Sequence, residues 1–244
     1  MRIFEKLRAR LRRELFQPSL LSVALGSDYI IRRALFCAIR SFAPSISGNV
    51  LDFGCGSKPY QALFSNATSY LGADLEITGH DHRDSKIDVF YDGRILPFAH
   101  GQFDAVVSFE VFEHVFDLQG ILREINRVTR ESGYLLISIP FAWPEHEIPY
   151  DFARYTSFGI GHLLKEAGYE VVAMKKTTSH VLAAAQIFIA YLRPSGHRGL
   201  FLKYLQQLFI IFPCTLIALA LDAVLPKRYE YFCNAVLLAK KRAT

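Results

Sequence analysis

Apolar residues recur along this chain with two different periods. Seven short runs, Asn49–Phe53, Tyr70–Asp74, Ile87–Tyr91, Phe103–Phe109, Tyr134–Pro140, Glu170–Lys175 and Asn234–Ala239, have the length and composition of strands. Between the fourth and fifth, Leu118, Ile121, Leu122, Ile125 and Val128 fall on one face of a helix. Another helix covers Tyr29 to Phe42 and ends before Pro44, and a third is capped by Thr156, turns Leu163, Leu164 and Ala167 inward and stops at Gly168. Strands alternating with helices predict an α/β fold, a mostly parallel sheet covered on both faces, with ligands at the carboxyl ends of the strands.

Two segments depart from this alternation. Ile3, Phe4, Leu7, Leu11 and Leu15 form the apolar stripe of an N-terminal helix whose other face carries Arg2, Lys6, Arg8, Arg10, Arg12 and Arg13. Such a helix either lies on an anionic membrane surface or packs by its stripe onto the domain. Between the sixth and seventh strands, Val181–Leu192 is apolar but for Gln186, and Tyr204–Leu221 has no charge; Arg193 to Gly199 is a polar turn between them. The second run approaches spanning length, but Pro213 and Gln206-Gln207 weaken that case and the first run is too short. A chain that returns to its sheet after the insert crosses a membrane an even number of times or not at all. The expectation is a hydrophobic hairpin that packs on the domain, dips into one leaflet, or joins two copies as a homodimer through 181–226. The expected division is therefore N-terminal helices at 1–45 (basic and amphipathic over 1–16), a core at 46–180, the insert at 181–226, and the last strand with a basic tail at 227–244.

Charge narrows the choice of partner. The net charge is +5 over 244 residues, yet residues 1–16 hold six basic groups against Glu5 and Glu14, so the rest is nearly neutral. That argues against a nucleic-acid-binding face. Cys37, Cys55, Cys214 and Cys233 form no CxxC pair and read as reduced thiols. The charged N-terminus is no signal peptide, so the expected location is cytoplasmic, with the inner face of the membrane as its place of attachment.

The chemistry starts where the first strand ends, in Asp52-Phe53-Gly54-Cys55-Gly56-Ser57-Lys58-Pro59. Two glycines one residue apart let the backbone turn tightly and approach a ligand. Asp74 follows eighteen residues after Gly56, at the end of the second strand, where a carboxylate can accept both hydroxyl protons of a ribose. A dinucleotide would suit this much. The third glycine of that fingerprint is missing, however, and Lys58-Pro59 stands near its place, so the turn is better suited to the carboxylate and amine of a methionine moiety.

These residues resemble the class I S-adenosylmethionine-dependent methyltransferases, and within them the methyltransferase type 11 group. Asp52 to Gly56 matches the first motif, and Tyr70-Leu71-Gly72-Ala73-Asp74 is similar to the second. Asp92 before Leu96-Pro97-Phe98 resembles the segment whose acid meets the adenine amine. Phe103 to Val115 matches the fourth-strand motif with its turn, and Leu122 to Val128 with Glu131-Ser132-Gly133-Tyr134 resembles the approach to the fifth strand. The likeness runs from about Asn49 to Val172, with Ser132 where the family commonly has glycine. It implies a three-layer Rossmann-like sandwich whose seven-stranded sheet has the order 3-2-1-4-5-7-6, last strand antiparallel, with the hydrophobic helical insert between strands 6 and 7. It also implies S-adenosyl-L-methionine as cofactor, held by Asp52, Phe53, Gly54, Cys55, Gly56, Asp74, Leu75, Asp92, Gly93 and Glu110.

Methyl transfer needs a base only where the acceptor loses a proton, as a hydroxyl does. Glu110-Val111-Phe112-Glu113-His114 is similar to a run in ubiquinone-type O-methyltransferases, where comparable residues can hold a divalent metal. With no fourth ligand in sight, Glu113 and His114 are read here as orienting loops, and no metal is assigned. The loop Pro140 to Thr156 resembles one in methyltransferases from cell-surface polysaccharide gene clusters. Its His146 is the expected general base, and His114 of the preceding run is a second catalytic candidate; the alternative is that Asp151 and Arg154 pair to fix the loop and His146 only lines the pocket. His80, His82, His100, His162, His180 and His197 have no such context. The expected acceptor is a small molecule, a glycan or a lipid-linked glycan, methylated on oxygen. A quinone-type phenol and a non-catalytic cofactor-binding partner of a biosynthetic complex are the alternatives.

Overall fold

A computed structural model describes residues 13–20, 22–76, 85–193 and 200–243. The basic amphipathic segment therefore lies outside the described residues except for Arg13 to Phe16, which are helical. The polar turn at 194–199 and His80, His82 and His197 also lie outside them.

Seven strands form one sheet: β1 (Gly48–Phe53), β2 (Ala67–Leu75), β3 (Val89–Tyr91), β4 (Phe103–Phe109), β5 (Thr129–Pro140), β6 (Tyr169–Lys176) and β7 (Asn234–Lys241). Their order is β3-β2-β1-β4-β5-β7-β6, as expected. β1 pairs in parallel with β2 and β4, β2 with β3, and β4 with β5. β7 runs against β6: Asn234 accepts from Thr177 just beyond the end of β6, and Arg242 donates to Gly168 just before its start. Val50, Leu51, Val106, Val107, Leu135, Leu136 and Ile137 are all fully buried, so the central strands are apolar on both faces.

The helices are α1 (Ser22–Leu25), α2 (Tyr29–Phe42), α3 (Leu118–Val128), α4 (Ser157–Glu166), α5 (His180–Tyr191), α6 (Leu200–Gln206) and α7 (Phe212–Val224). Asp117 caps α3 by accepting from Gly120 N–H, and the buried stripe of α3 is the expected one. Thr156 caps α4 in the same way, and Gly168 follows its end at φ +85°. Two details differ from the sequence expectation. The link from β1 to β2 holds a 3₁₀ turn at Gln61–Leu63 rather than a helix, and Lys58 just before it takes a left-handed φ of +54°. β5 starts at Thr129 rather than Tyr134, and Ser132 takes φ +59° inside it.

The chain divides into two units. One holds Ala38–Lys175 and Ala235–Thr244, with most of the sheet; the other holds the residues up to Cys37 and Lys176–Asn234. Tyr29 and Ile30 of α2 pack with Val23, Ile189, Ile211 and Ala218 in the second unit. Gln186 interrupts the apolar run of α5 for a structural reason: fully buried, its side chain accepts from Ile31 N–H and donates to the Ser27 carbonyl. A π turn at Gln207–Ile211 joins α6 to α7, and Pro213 stands in the first turn of α7, where a proline is tolerated.

Candidate active site

The glycine turn leaves β1 at the carboxyl edge of the sheet. Gly54 has φ +71°, and a Cβ there would lie 2.4 Å from Val111 Cγ2, so only glycine fits. Gly56 has φ +45°, and a Cβ there would have nothing within 4 Å. Its N–H donates to Asp74 Oδ2 at 2.9 Å, while Asp74 Oδ1 accepts from Leu75 N–H at 2.8 Å. Glycine turn and β2 acid are thus locked together beside an open face.

Lys58 accounts for the missing third glycine. Its buried side chain crosses Gly72, where a Cβ would meet Lys58 Cε at 2.4 Å, and its ammonium pairs with Asp88. Against some desolvation, the Gly72 N–H and Lys58 hold the Asp88 carboxyl below its ordinary range.

The other expected cofactor residues divide by burial. Phe53 is fully buried between Tyr91 and Phe112, and the Cys55 side chain is buried too, so these two can reach a ligand only by backbone. Asp92 closes a turn by accepting from Arg94 and Ile95 N–H at 2.8 and 2.9 Å, bonds that hold its carboxyl low. Gly93 follows at φ +82°, where a Cβ would lie 3.2 Å from Leu75. Glu110 also takes a left-handed conformation, at φ +55°, and Ser138 holds it there, donating to Oε1 at 2.7 Å and accepting from the Glu110 amide at 3.0 Å. Asp52 is buried and accepts from Tyr70 O–H at 2.7 Å; burial pushes its carboxyl up to about 7 despite that bond.

This last feature gives a pH signature. A raised folded-state pKa adds stability that is complete below the ordinary carboxylate range and is lost as pH rises through about 7. Asp52→Asn removes the term. The melting temperature of the ligand-free variant, relative to wild type, is expected to rise by a few degrees between about pH 4 and about pH 8. A constant difference across that window would show that Asp52 is ionised throughout.

A second cluster stands at the ends of β4 and β5. After Glu110 the chain forms a 3₁₀ turn, Phe112–His114, that buries Glu113 completely. Neither Glu113 carboxylate oxygen has a hydrogen-bond partner among the described residues, and the same holds for His114 Nε2. Burial, then the charge of Glu110, pushes Glu113 well above the usual carboxylate range. His114 Nδ1 faces the Tyr150 carbonyl at 2.8 Å, and its Nε2 lies 3.6 Å from both Glu113 Oε1 and Glu147 Oε1.

From the loop after β5, His146 packs its ring edge-on against His114, with centroids 4.8 Å apart, and brings Nε2 to 3.9 Å from Glu113 Oε1. Its Nδ1 lies 3.1 Å from Asp151 Oδ2 and 3.3 Å from the Pro144 carbonyl. Desolvation, then the neighbouring His114, lowers its pKa and favours the neutral imidazole. Asp151 and Arg154 pair through both carboxylate oxygens, Nη2 to Oδ2 at 2.6 Å, and Asp151 also accepts from the His146 amide at 2.9 Å. The loop-fixing pair and the convergent histidine therefore coexist. The sequence pointed to His114 and His146 separately; it did not reveal that they meet, or that Glu147 stands beside them.

Asp74, bonded to the Gly56 N–H at the glycine turn, disfavours a doubly charged pyrophosphate there and suits a ligand carrying an ammonium. The comparisons agree. Residues 28–174 match the family described as Methyltransferase domain. A probable S-adenosylmethionine-dependent methyltransferase of Mycobacterium tuberculosis is 30% identical over 142 residues, which cover 52% of this chain and 50% of that one. A demethylmenaquinone methyltransferase of Mycobacterium marinum is 32% identical over 120 residues, 47% of this chain and 50% of its own. This chain thus spans about half the length of the curated relatives it matches. A crystal structure from Thermotoga maritima, of an S-adenosylmethionine-dependent methyltransferase described as a possible histamine N-methyltransferase, superposes with a TM-score of 0.52 at 15% identity. It covers 99% of this chain and 97% of that one, and it shows the shared fold.

The chain belongs to the class I S-adenosylmethionine-dependent methyltransferases. The cofactor of that class is S-adenosyl-L-methionine.

Proposed function

We propose that this chain transfers the methyl group of S-adenosylmethionine to an oxygen of a glycan or small-molecule acceptor, in lipid-linked form. The observation that carries the reading is the presence, within one unit, of an open-faced Gly56 bonded to Asp74 and of two histidines, His114 and His146, converging on the buried Glu113. Bound S-adenosylmethionine supplies an electrophilic methyl group on a sulfonium. The glycine turn would hold its methionine end, Asp74 the ribose hydroxyls and Asp92 the adenine amine. A neutral amine attacks without a base, whereas a hydroxyl must lose its proton; a neutral His146 with Nε2 turned into the cluster supports the hydroxyl. One relative is named for demethylmenaquinone, which makes a quinone-type acceptor the second reading.

The lipid part rests on the second unit. Its helical segment Phe201–Val224 is 24 residues long and apolar enough to cross a membrane, yet only 17% of its most apolar window is buried. Phe201, Leu202, Phe209, Ile217 and Val224 are exposed, which is more apolar surface than a soluble monomer usually presents. We place this segment in the interfacial layer of the cytoplasmic leaflet, with a homodimer through 181–226 as the alternative.

The test is incubation of the full chain with labelled S-adenosylmethionine and native membranes. Label in the organic-extractable glycan fraction is the expected result, and label in a quinone would move the reading to a phenolic acceptor. Tight cofactor binding with no transfer to any envelope extract would make the chain a non-catalytic partner. Retention on anionic vesicles at low salt is expected too; a soluble monomer that passes them by would remove the membrane from the proposal.

A further inference from the structure

The proton inventory at the second cluster does not close. A carbonyl only accepts, so the 2.8 Å contact with Tyr150 assigns the proton of His114 to Nδ1 and leaves a lone pair on Nε2. At His146 the two nearest partners of Nδ1 are also acceptors, the Asp151 carboxylate and the Pro144 carbonyl. Arg154 Nη2 is farther from that nitrogen, at 3.4 Å, and is already bonded to Asp151 and to the Pro144 carbonyl. His146 Nε2 therefore carries a lone pair as well. Both face Glu113, a fully buried carboxyl with two unpartnered oxygens. One ligand atom from each residue lies within 4.8 Å of the others, with 3.6 and 3.9 Å from Glu113 Oε1 to the two imidazoles.

The one proton that Glu113 can carry meets only one of the two imidazole lone pairs and leaves the other unsatisfied, an arrangement that calls for a cation. We propose that Glu113, His114 and His146 form a site for a divalent transition cation of the zinc class, with Glu147 at its rim. Ligands about 2.1 Å from a tetrahedral zinc ion stand about 3.4 Å apart, so the two shorter separations need to close by only a few tenths of an ångström. The surroundings are those of a metal site: each imidazole has its other nitrogen fixed by a carbonyl or a carboxylate, which sets the tautomer and aims Nε2 at the ion. Two imidazoles and one carboxylate favour zinc, manganese or iron over magnesium, which prefers oxygen. The set differs from the Glu110–Glu113–His114 run in the sequence, because Glu110 is turned to Ser138 and its place is taken by a histidine from another loop.

Two protein imidazoles and one carboxylate leave a coordination position for an exogenous oxygen. On the methyl-transfer reading, an acceptor hydroxyl bound there would ionise near neutral pH, and His146 would act as ligand rather than as base. Metal binding itself does not depend on that reading.

The test uses cobalt(II) and zinc(II) alone with the full chain. Cobalt is expected to give intense visible ligand-field absorption at one equivalent, displaced by zinc, and zinc is expected to raise the melting temperature. Glu113→Gln and His146→Ala should each weaken cobalt binding at least tenfold while still binding S-adenosylmethionine in calorimetry, which also reports that they are folded. Cobalt binding no tighter in wild type than in His146→Ala would overturn the proposal. A wild-type chain that binds the cofactor but neither metal would overturn it too, without touching the methyl-transfer reading.

Discussion

Replacing Gly56 by alanine is expected to remove cofactor binding from a chain that still folds. The added methyl group meets nothing within 4 Å, so the folded protein bears only the cost of a left-handed alanine, about 1–2 kcal/mol. The same methyl projects into the open face beside Asp74, where the backbone has to approach its ligand. A loss of about a hundredfold in S-adenosylmethionine affinity, nearly 3 kcal/mol, is expected by calorimetry, with a melting temperature only a few degrees lower. Gly54→Ala is the contrasting case. Its Cβ would overlap both methyl groups of Val111, at 2.4 and 2.6 Å, so stability falls first and binding is lost with it. Unchanged affinity in Gly56→Ala would place the cofactor elsewhere.

Truncation of His146 is expected to act on turnover and not on the cofactor. The side chain comes from the loop after β5, is partly exposed, and is held by Asp151 rather than by the core. His146→Ala should therefore fold and bind S-adenosylmethionine with an unchanged dissociation constant. Whether His146 withdraws a proton or ligates a cation, its loss leaves the acceptor hydroxyl unactivated, and kcat should fall by roughly 10²–10⁴. Steady-state turnover on the identified acceptor, with the dissociation constant measured alongside, checks this. Full turnover in the variant would return His146 to a lining role.

The parts of this molecule that could be read from the sequence are those with a local signal. The sheet was legible because its central strands are short, apolar on both faces and separated by capped helices such as the one from Thr156 to Gly168. The glycine turn was legible because glycines at 54 and 56 and an acid at 74 occupy fixed places relative to two strands. The acceptor end was not. Glu113 and His114 are neighbours, but His146 lies thirty-two residues on, in a loop without periodicity, and only the parallel pairing of β4 with β5 brings the two loops to one edge. The lysine at 58 was equally opaque. In the sequence it stands beside a proline near the place of the missing glycine, yet its stem fills the space over Gly72 and its charge is met by Asp88, thirty residues later.

Gln186 has a mechanical consequence. A helix clad only in aliphatic side chains can slide or roll against its neighbours at little cost, since one apolar contact replaces another. α5 cannot. Its single amide is keyed to the Ser27 carbonyl and the Ile31 N–H, and a shift of one turn would strand all three groups in an apolar interior. The helix is indexed to the segment from Ser27 to Ile31 like a gear to a pawl. Any force on the exposed face of this unit, from lipid or from a second copy, would then move those elements as one body rather than shear them apart.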